Sequence, residues 1–320
     1  MPPSLRAAWP VLLAAAALVA AVALPPIDAP RPAPRYQVSF DVSQSMDVED
    51  VAVDGVALSR LALARRAAAR LVADLPCGSR VGWSAFVGQR VTALVEPLEV
   101  CAHYEALLSS LEGIDGRLRW ENGSAVGKGV HQSLRAASEL GEGVAVLMFS
   151  DGHEAPPLRE GATGLPKNPP AGVRGALIGV GGEVPVRVPK SDAEGRRIGW
   201  WTDEDVVQLP GPAAATSRES LSRLHAEHLE ALAGLAGLGY AHLEAPDALW
   251  PLLRPDAGRA RVPTDFSWVP ALVALAALAW RFAPRPRPHA TRSPPRSASS
   301  GRRGATITPR RKTRPDRLCR

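Results

Sequence analysis

Tyr36-Gln37-Val38-Ser39-Phe40-Asp41-Val42-Ser43-Gln44-Ser45 is the stretch on which the fold turns. Its first six residues follow Pro34-Arg35 and read as a strand, Tyr36–Asp41. Where that strand ends, Asp41, Ser43 and Ser45 place three oxygen-bearing side chains at i, i+2 and i+4. Ligands of open α/β sheets sit at the carboxyl ends of strands. A hard divalent cation takes oxygen ligands, and magnesium keeps several waters in near-octahedral geometry. One carboxylate with two hydroxyls suits such an ion. Alone the pattern is short, because a capped loop entering a helix uses the same residue types.

Outward from this stretch the chain alternates strand and helix patterns. Ser59–Val72 reads as a helix with Leu61, Ala64, Ala68 and Leu71 on one face. Arg80–Gly88 and Arg90–Glu96 meet at Gly88-Gln89 with hairpin spacing. Ala102–Leu111, Ala125–Leu140 and Leu221–Ala236 read as helices, and Tyr240–Leu243 as a short last strand. Val144–Ser150 and Ala176–Val180 are continuous apolar runs, as central strands buried on both faces require. The alternation predicts an α/β fold: a doubly wound, mostly parallel open sheet, Rossmann-like, with one antiparallel edge strand. Residues 183–209 are too long and polar for a simple crossover and read as a projecting hairpin. Val186–Val188 and Ile198–Trp201 flank its turn, with Trp200 and Trp201 divided evenly between recognition and packing.

Two later elements extend the oxygen pattern. Asn122-Gly123-Ser124 opens a helix, and Val144–Ser150 delivers Asp151-Gly152 at its carboxyl end. Asp41, Ser43, Ser45, Ser124 and Asp151 together resemble the metal-ion-dependent adhesion site of von Willebrand factor A (vWA) domains. Ser124 stands where that family usually has Thr, which keeps the hydroxyl. The resemblance implies a bound divalent cation, magnesium first and manganese or calcium next, with Asp151 acting mostly through water. It also implies a protein partner that completes the metal's shell with an acidic residue, and a binding module, not an enzyme.

Further strings narrow the likeness. Leu75-Pro76-Cys77-Gly78-Ser79-Arg80, Val100-Cys101-Ala102-His103 and Ser150-Asp151-Gly152-His153-Glu154-Ala155-Pro156-Pro157 are similar to MxaL-type accessory proteins of methanol oxidation. The same A domain with flanking spans resembles the Bat-type membrane proteins. The MxaL-type likeness implies a role in periplasmic assembly or maturation of a metalloenzyme of the methanol dehydrogenase type. The basic tail described next departs from both families.

The termini carry a membrane signature. Arg6 precedes an apolar run from Ala7 to Leu24 with Ala21-Val22-Ala23 as a possible cleavage site, so residues 1–24 read as a signal peptide or an anchor. A Pro-rich linker, 25–35, leads into the vWA domain, 36–255. Phe266–Trp280 is a second apolar run, bracketed by Trp268 and Trp280 and followed by Arg281, so 266–282 reads as a transmembrane helix. The net charge of +6 hides an asymmetry: residues 281–320 hold thirteen Lys or Arg and one acid, leaving the remainder at −6. Positive charge collects on the cytoplasmic side. The expected location is the inner membrane of a bacterium, with the domain in the periplasm and a basic, disordered tail (283–320) in the cytoplasm.

Cys77 lies eleven residues before Gly88 and Cys101 twelve after Gln89, so a hairpin brings them side by side. In an exported protein this spacing invites a disulfide, the alternative being two unrelated small buried residues. Cys319 in the tail reads as unpaired. His225 and His228 share a helix face with no third ligand spaced to close a zinc site, and read as a solvated face. Two other function classes stay open. A metal-assisted hydrolase would use the same ion, but only His153 and Glu154 offer acid-base groups. A nucleic-acid or lipid binder would use the tail, where no aromatic follows Phe282 to stack bases, so nucleic acid is not favoured.

Overall fold

The computed structural model describes residues 3–159, 161–205, 219–253 and 258–283. Helix α1 (Pro3–Ala23) is followed by β1 (Ile27–Pro32), β2 (Arg35–Asp41), a small hairpin of β3 (Val51–Val53) and β4 (Val56–Leu58), and α2 (Arg60–Asp74). Next come β5 (Arg80–Val87), β6 (Arg90–Glu99), α3 (Tyr104–Glu112), α4 (Val126–Glu139), β7 (Val144–Ser150) and β8 (Gly175–Gly179). The short strands are β9 (Val186–Arg187), β10 (Pro189–Ser191), β11 (Arg197–Trp200) and β12 (Leu221–Ser222). After them run α5 (Ala226–Ala236), β13 (Gly239–His242), α6 (Leu249–Leu253), β14 (Arg259–Thr264) and α7 (Trp268–Phe282).

Six strands form one sheet in the order β13-β8-β7-β2-β5-β6, parallel throughout except for β6, which runs antiparallel to β5. This is the mixed α/β sheet with one antiparallel edge that the pattern predicts. β2 lies inside it, which explains its apolar content: Val38 and Phe40 are wholly buried, and Phe40 stacks on Phe149 at 5.4 Å. One face packs against α2, α3 and α6 through Leu63, Leu71, Leu107 and Leu249. The other packs against α4 and α5 through Val130, Leu134, Leu229 and Leu232. With both faces covered, the carboxyl ends of β2 and β7 are left to carry polar chemistry.

Cys77 and Cys101 form a disulfide, with Cα atoms 5.3 Å apart, beyond the two ends of the β5–β6 hairpin. In the chain-entropy account a bridge closing a loop of this size stabilises by about 3 kcal/mol.

The structure departs from the sequence reading at several points. The Pro-rich segment is not a free linker, because Ile27–Pro32 pairs antiparallel with Arg259–Thr264. A two-stranded ribbon has outward edges on both sides, and Pro is tolerated there because no ladder donor is demanded of it. The compact unit carrying the sheet therefore runs from Ala20 to Pro270, beyond the expected 36–255. The helix expected over Leu221–Ala236 begins only at Ala226, since Leu221 and Ser222 are extended and pair with β9. The projecting hairpin exists as β10–β11, its first arm starting three residues later than expected, because Val186–Arg187 pairs with β12 instead. The last residues of the expected insertion, 206–209, lie outside the described residues.

The other unit comprises Met1–Val19 and Ala271–Arg320. In it Ala14, Ala17, Ala274 and Ala277 pack together, Trp9 meets Trp280 edge-on at 5.1 Å, and Leu12, Leu13, Leu272 and Leu275 are exposed. Among the described residues no helix is long and apolar enough to cross a membrane, which leaves the expected transmembrane segments without support in the fold. α7 has fifteen residues. At 1.5 Å per residue it rises about 22 Å, against roughly 30 Å of hydrocarbon. The expected disorder of the tail and the free Cys319 fall on residues 284–320, outside the described residues.

Candidate metal centre

β2 ends at Asp41, whose carboxylate is wholly buried. Its Oδ1 accepts the Ser43 backbone N–H at 2.9 Å and its Oδ2 the Ser150 hydroxyl at 2.7 Å, so the side chain is fixed where β2 and β7 lie side by side. A single 3₁₀ turn, Gln44–Asp47, then folds the chain back and brings the Ser43 and Ser45 hydroxyls to 3.1 Å from each other. Ser124 arrives from the loop before α4. It exchanges two backbone hydrogen bonds of 2.8 Å with Ala155, and Ala125 N–H donates to Gly88 carbonyl at 2.7 Å. Three loops are thereby tied together. Ser43, Ser45 and Ser124 line one cavity of about 270 Å³, walled also by Asn122, His153 and Trp201.

Asp151 at the end of β7 is equally buried, but its surroundings are opposite in sign. Arg60, itself without exposure, donates from Nη1 to Asp151 Oδ2 at 2.5 Å and to Ser222 Oγ at 2.7 Å. Its Nη2 reaches Asp50 Oδ2 at 2.6 Å. Burial works against the Asp151 carboxylate, yet the Arg60 charge and the hydrogen bonds from His153 N–H and Ser222 hold its pKa below the usual range. Asp41 has no such neighbour. Burial first, and then the Asp151 charge, push its pKa up to about 7 despite the hydrogen bonds from Ser43 and Ser150. Of two adjacent buried carboxylates, one has its counter-charge and the other lacks it.

This asymmetry tests whether the residues suit a divalent cation. A buried carboxylate without a counter-charge is costly. The buried Ser124 hydroxyl has no hydrogen-bond partner among the described residues, although buried polar groups are nearly always satisfied. The donor set is wholly oxygen, the preference of magnesium, manganese and calcium. The residues fit the group. Of the five expected side chains, Ser43, Ser45 and Ser124 line one cavity, and Asp41 is tied to Ser43 at the start of the same turn, while Asp151 is paired with Arg60.

Several site residues were not foreseen. Arg60 is a cation on the apolar face of α2, at i−4 from Ala64 and i−7 from Ala67, and that misplaced charge was the available signal. Gly181 (φ +127°) makes room for it, since a Cβ there would lie 2.5 Å from Arg60 Nε. Its partners Asp50 and Ser222 gave no sequence signal: Ser222 lies 162 positions away, and Asp50, ten positions away, sits in a loop whose course no periodicity fixes. Gln44 joins the turn after β2 to the hairpin: its Oε1 accepts from Trp201 Nε1 at 2.6 Å and Ser191 N–H at 3.2 Å, while Nε2 donates to Asn122 at 2.8 Å. Trp201 is thus a wall of the cavity, whereas Trp200 faces outward, 43% exposed, beside the Arg197 guanidinium. The expected solvated face of α5 is also corrected. His225 and His228 are half-buried, with His228 Nε2 3.1 Å from Glu154 Oε1.

No family model and no curated protein matches this chain. Solved structures similar to it include an aerotolerance-related membrane protein from Bacteroides fragilis, at 18% identity and TM-score 0.49, covering 70% of this chain and 98% of that one. BatB from Bacteroides thetaiotaomicron is similar at 20% identity and TM-score 0.48, covering 70% and 96%. A von Willebrand factor type A protein from Catenulispora acidiphila follows at 12% identity and TM-score 0.35, covering 79% and 46%. These solved structures include Bat-type and von Willebrand factor A proteins, two of the three groups that the motifs resemble, the third being the MxaL-type proteins.

Proposed function

We propose that the chain is a membrane-anchored vWA-type binding module. In this reading Asp41, Ser43, Ser45 and Ser124 hold a divalent cation, magnesium foremost, and Asp151 supports it through water. The bound ion would supply an electrophilic site for a carboxylate from a protein partner. The observation that carries the reading is the buried Ser124 hydroxyl, without a hydrogen-bond partner among the described residues, in a cavity it shares with Ser43 and Ser45, the turn that follows the uncompensated Asp41 carboxylate. Because Arg60 already neutralises Asp151, this chain offers the ion one uncompensated carboxylate. A dication held there keeps a net positive charge, and a partner's acidic side chain is its natural complement. Participation in periplasmic maturation of a metalloenzyme remains part of this proposal and rests on the motif likeness. The test is capture of partners from solubilised membranes by the tagged full chain. Recovery with magnesium and loss with a chelator are expected; identical captured proteins in both would remove the metal from the function.

In this reading the anchor is the unit built from the chain ends, although no described helix is by itself long and apolar enough to cross a bilayer. Its two helices meet through alanines, the small residues that let helices approach in lipid, and turn Leu12, Leu13, Leu272 and Leu275 outward. Trp9 meets Trp280, which Arg281 follows in the sequence, as the cytoplasmic boundary of a membrane would have them. Phosphatase and fluorescent-protein fusions after Leu243 and after Arg303 read the topology. Active phosphatase at the first and fluorescence at the second are expected; an external signal after Arg303 would mean that 266–282 does not span.

A further inference from the structure

The cavity lined by Ser43, Ser45 and Ser124 has room for more than an ion. Residues at the base of the β10–β11 hairpin belong to its wall: Trp201 N–H donates to the Val188 carbonyl at 3.0 Å, and Gln44 holds the Trp201 indole. Val188 and Trp201 are joined by Ala155 and Pro156 as apolar lining. The volume of about 270 Å³ lies just under the roughly 300–1,000 Å³ of small-molecule sites. The space therefore suits a small occupant, on the order of one residue.

Three residues that line this cavity carry buried polar atoms with no hydrogen-bond partner among the described residues: Ser124 Oγ, His153 Nδ1 and Glu219 Oε1. Other polar lining is already matched. Gln44 is bonded to Trp201, Ser191 and Asn122, and Asp205 to Lys190 and Thr202. A divalent ion accounts for Ser124 and leaves His153 and Glu219. His153 is only 8% exposed, and buried groups of this kind are nearly always satisfied. A Glu219 carboxylate oxygen accepts a hydrogen bond, and an imidazole protonated on Nδ1 donates one. One acceptor and one donor are the complement of a peptide unit, which offers an N–H and a C=O.

We propose that the carboxylate a partner brings to this ion is its C-terminal one, in place of an acidic side chain. This rests on the reading of a divalent cation at Asp41. The α-carboxylate of the partner's last residue completes the ion's shell, and that residue's N–H donates to Glu219 Oε1. The carbonyl of the residue before it accepts from His153 Nδ1. A short aliphatic side chain lies against Val188, Pro156 and Trp201. Capture of a chain terminus is a recurring mode of peptide recognition. An internal Asp offers the same peptide unit, but its chain must leave in two directions from a space of about one residue. A free amino acid lacks the carbonyl that His153 meets.

Ligand-observed NMR titrations of the detergent-solubilised full chain test this with N-acetyl-leucine, which reproduces a C-terminal residue. Binding that requires magnesium is expected. The same carboxylate and side chain without the peptide unit, 4-methylpentanoate, should bind roughly tenfold more weakly, as loss of a hydrogen bond to a charged group predicts. Free leucine and the N-methylamide of N-acetyl-aspartate, an internal Asp, should also bind more weakly. Glu219→Ala should bring N-acetyl-leucine down to the level of 4-methylpentanoate without changing the heat of magnesium binding. The probe series on the wild type decides the matter by itself if that variant loses its fold. Magnesium binding with 4-methylpentanoate, leucine or the internal Asp as tight as N-acetyl-leucine overturns the chain-end assignment and leaves the metal standing. Absence of any magnesium heat removes the metal, and the chain-end ligand with it.

Discussion

Asp41→Asn should abolish magnesium binding while leaving the fold at least as stable as the wild type. The amide is isosteric: its Oδ1 can still accept from Ser43 N–H, and its NH₂ can donate to Ser150 Oγ in place of the bond that Ser150 now donates. What is lost is the charge, and in the ion-free protein that charge is unfavourable. Burial and Asp151 both raise the Asp41 pKa. A group whose folded pKa lies above its unfolded value contributes no stability in its ionised form, so removing it costs nothing in the absence of an ion. The wild type with magnesium at 100 times its dissociation constant should gain about 2.7 kcal/mol. For a domain of this size that is a rise of roughly 5–10 °C in Tm. Calorimetric titration and thermal unfolding of Ala20–Pro270 read both quantities, with β1 and β14 retained because they pair. Equal heats and equal Tm shifts in the two proteins would remove Asp41 from the metal.

The elements that were legible in the sequence are those whose residues face one environment over their whole length. Val144–Ser150 is apolar because both faces of β7 are covered, and its observed limits match the run. Asp41, Ser43 and Ser45 were legible because the turn that gathers them is local, and Ser124 and Asp151 because each ends or begins a recognisable element. Pairings set by tertiary context were not. Ile27-Asp28-Ala29-Pro30-Arg31-Pro32 has the composition of a linker and becomes a strand only because Arg259–Thr264 lies beside it. Leu221-Ser222 continues a helical periodicity into α5, but the partner β9 and the hydrogen bond from Leu224 N–H to Gly182 carbonyl hold it extended. At the site itself the oxygens were visible and their charge balance was not. Arg60 and Asp151 are ninety-one positions apart.

Arg60→Met should be among the most destabilising single changes in the sheet-bearing unit, at about 3–5 kcal/mol, the range for breaking a buried ion pair by removing one partner. The guanidinium has no exposure and is shared between Asp50 and Asp151, with Ser222 Oγ and the Ser45 and Ser222 carbonyls taking its remaining donors. Burial opposes its charge, but Asp151 and Asp50 more than offset this and keep it protonated. Methionine fills much of the volume and satisfies none of these acceptors. Arg60→Lys should lose less, yet a single ammonium cannot replace a planar fork that faces Asp50 and Asp151 at once. Asp50→Asn in the Arg60→Met background should recover part of the loss, because it removes one of the two stranded charges. Urea unfolding of the set gives the ordering, and a cost below about 1 kcal/mol for Arg60→Met would mean that the network does not hold the unit together. The same variant connects stability to the metal. Without Arg60 the Asp151 carboxylate joins Asp41 in lacking a counter-charge, so a dication among Ser43, Ser45 and Ser124 neutralises two charges where it had neutralised one. Magnesium should therefore raise the Tm of Arg60→Met by more than that of the wild type, while the ion, now saturated by its own protein, binds a partner's carboxylate more weakly.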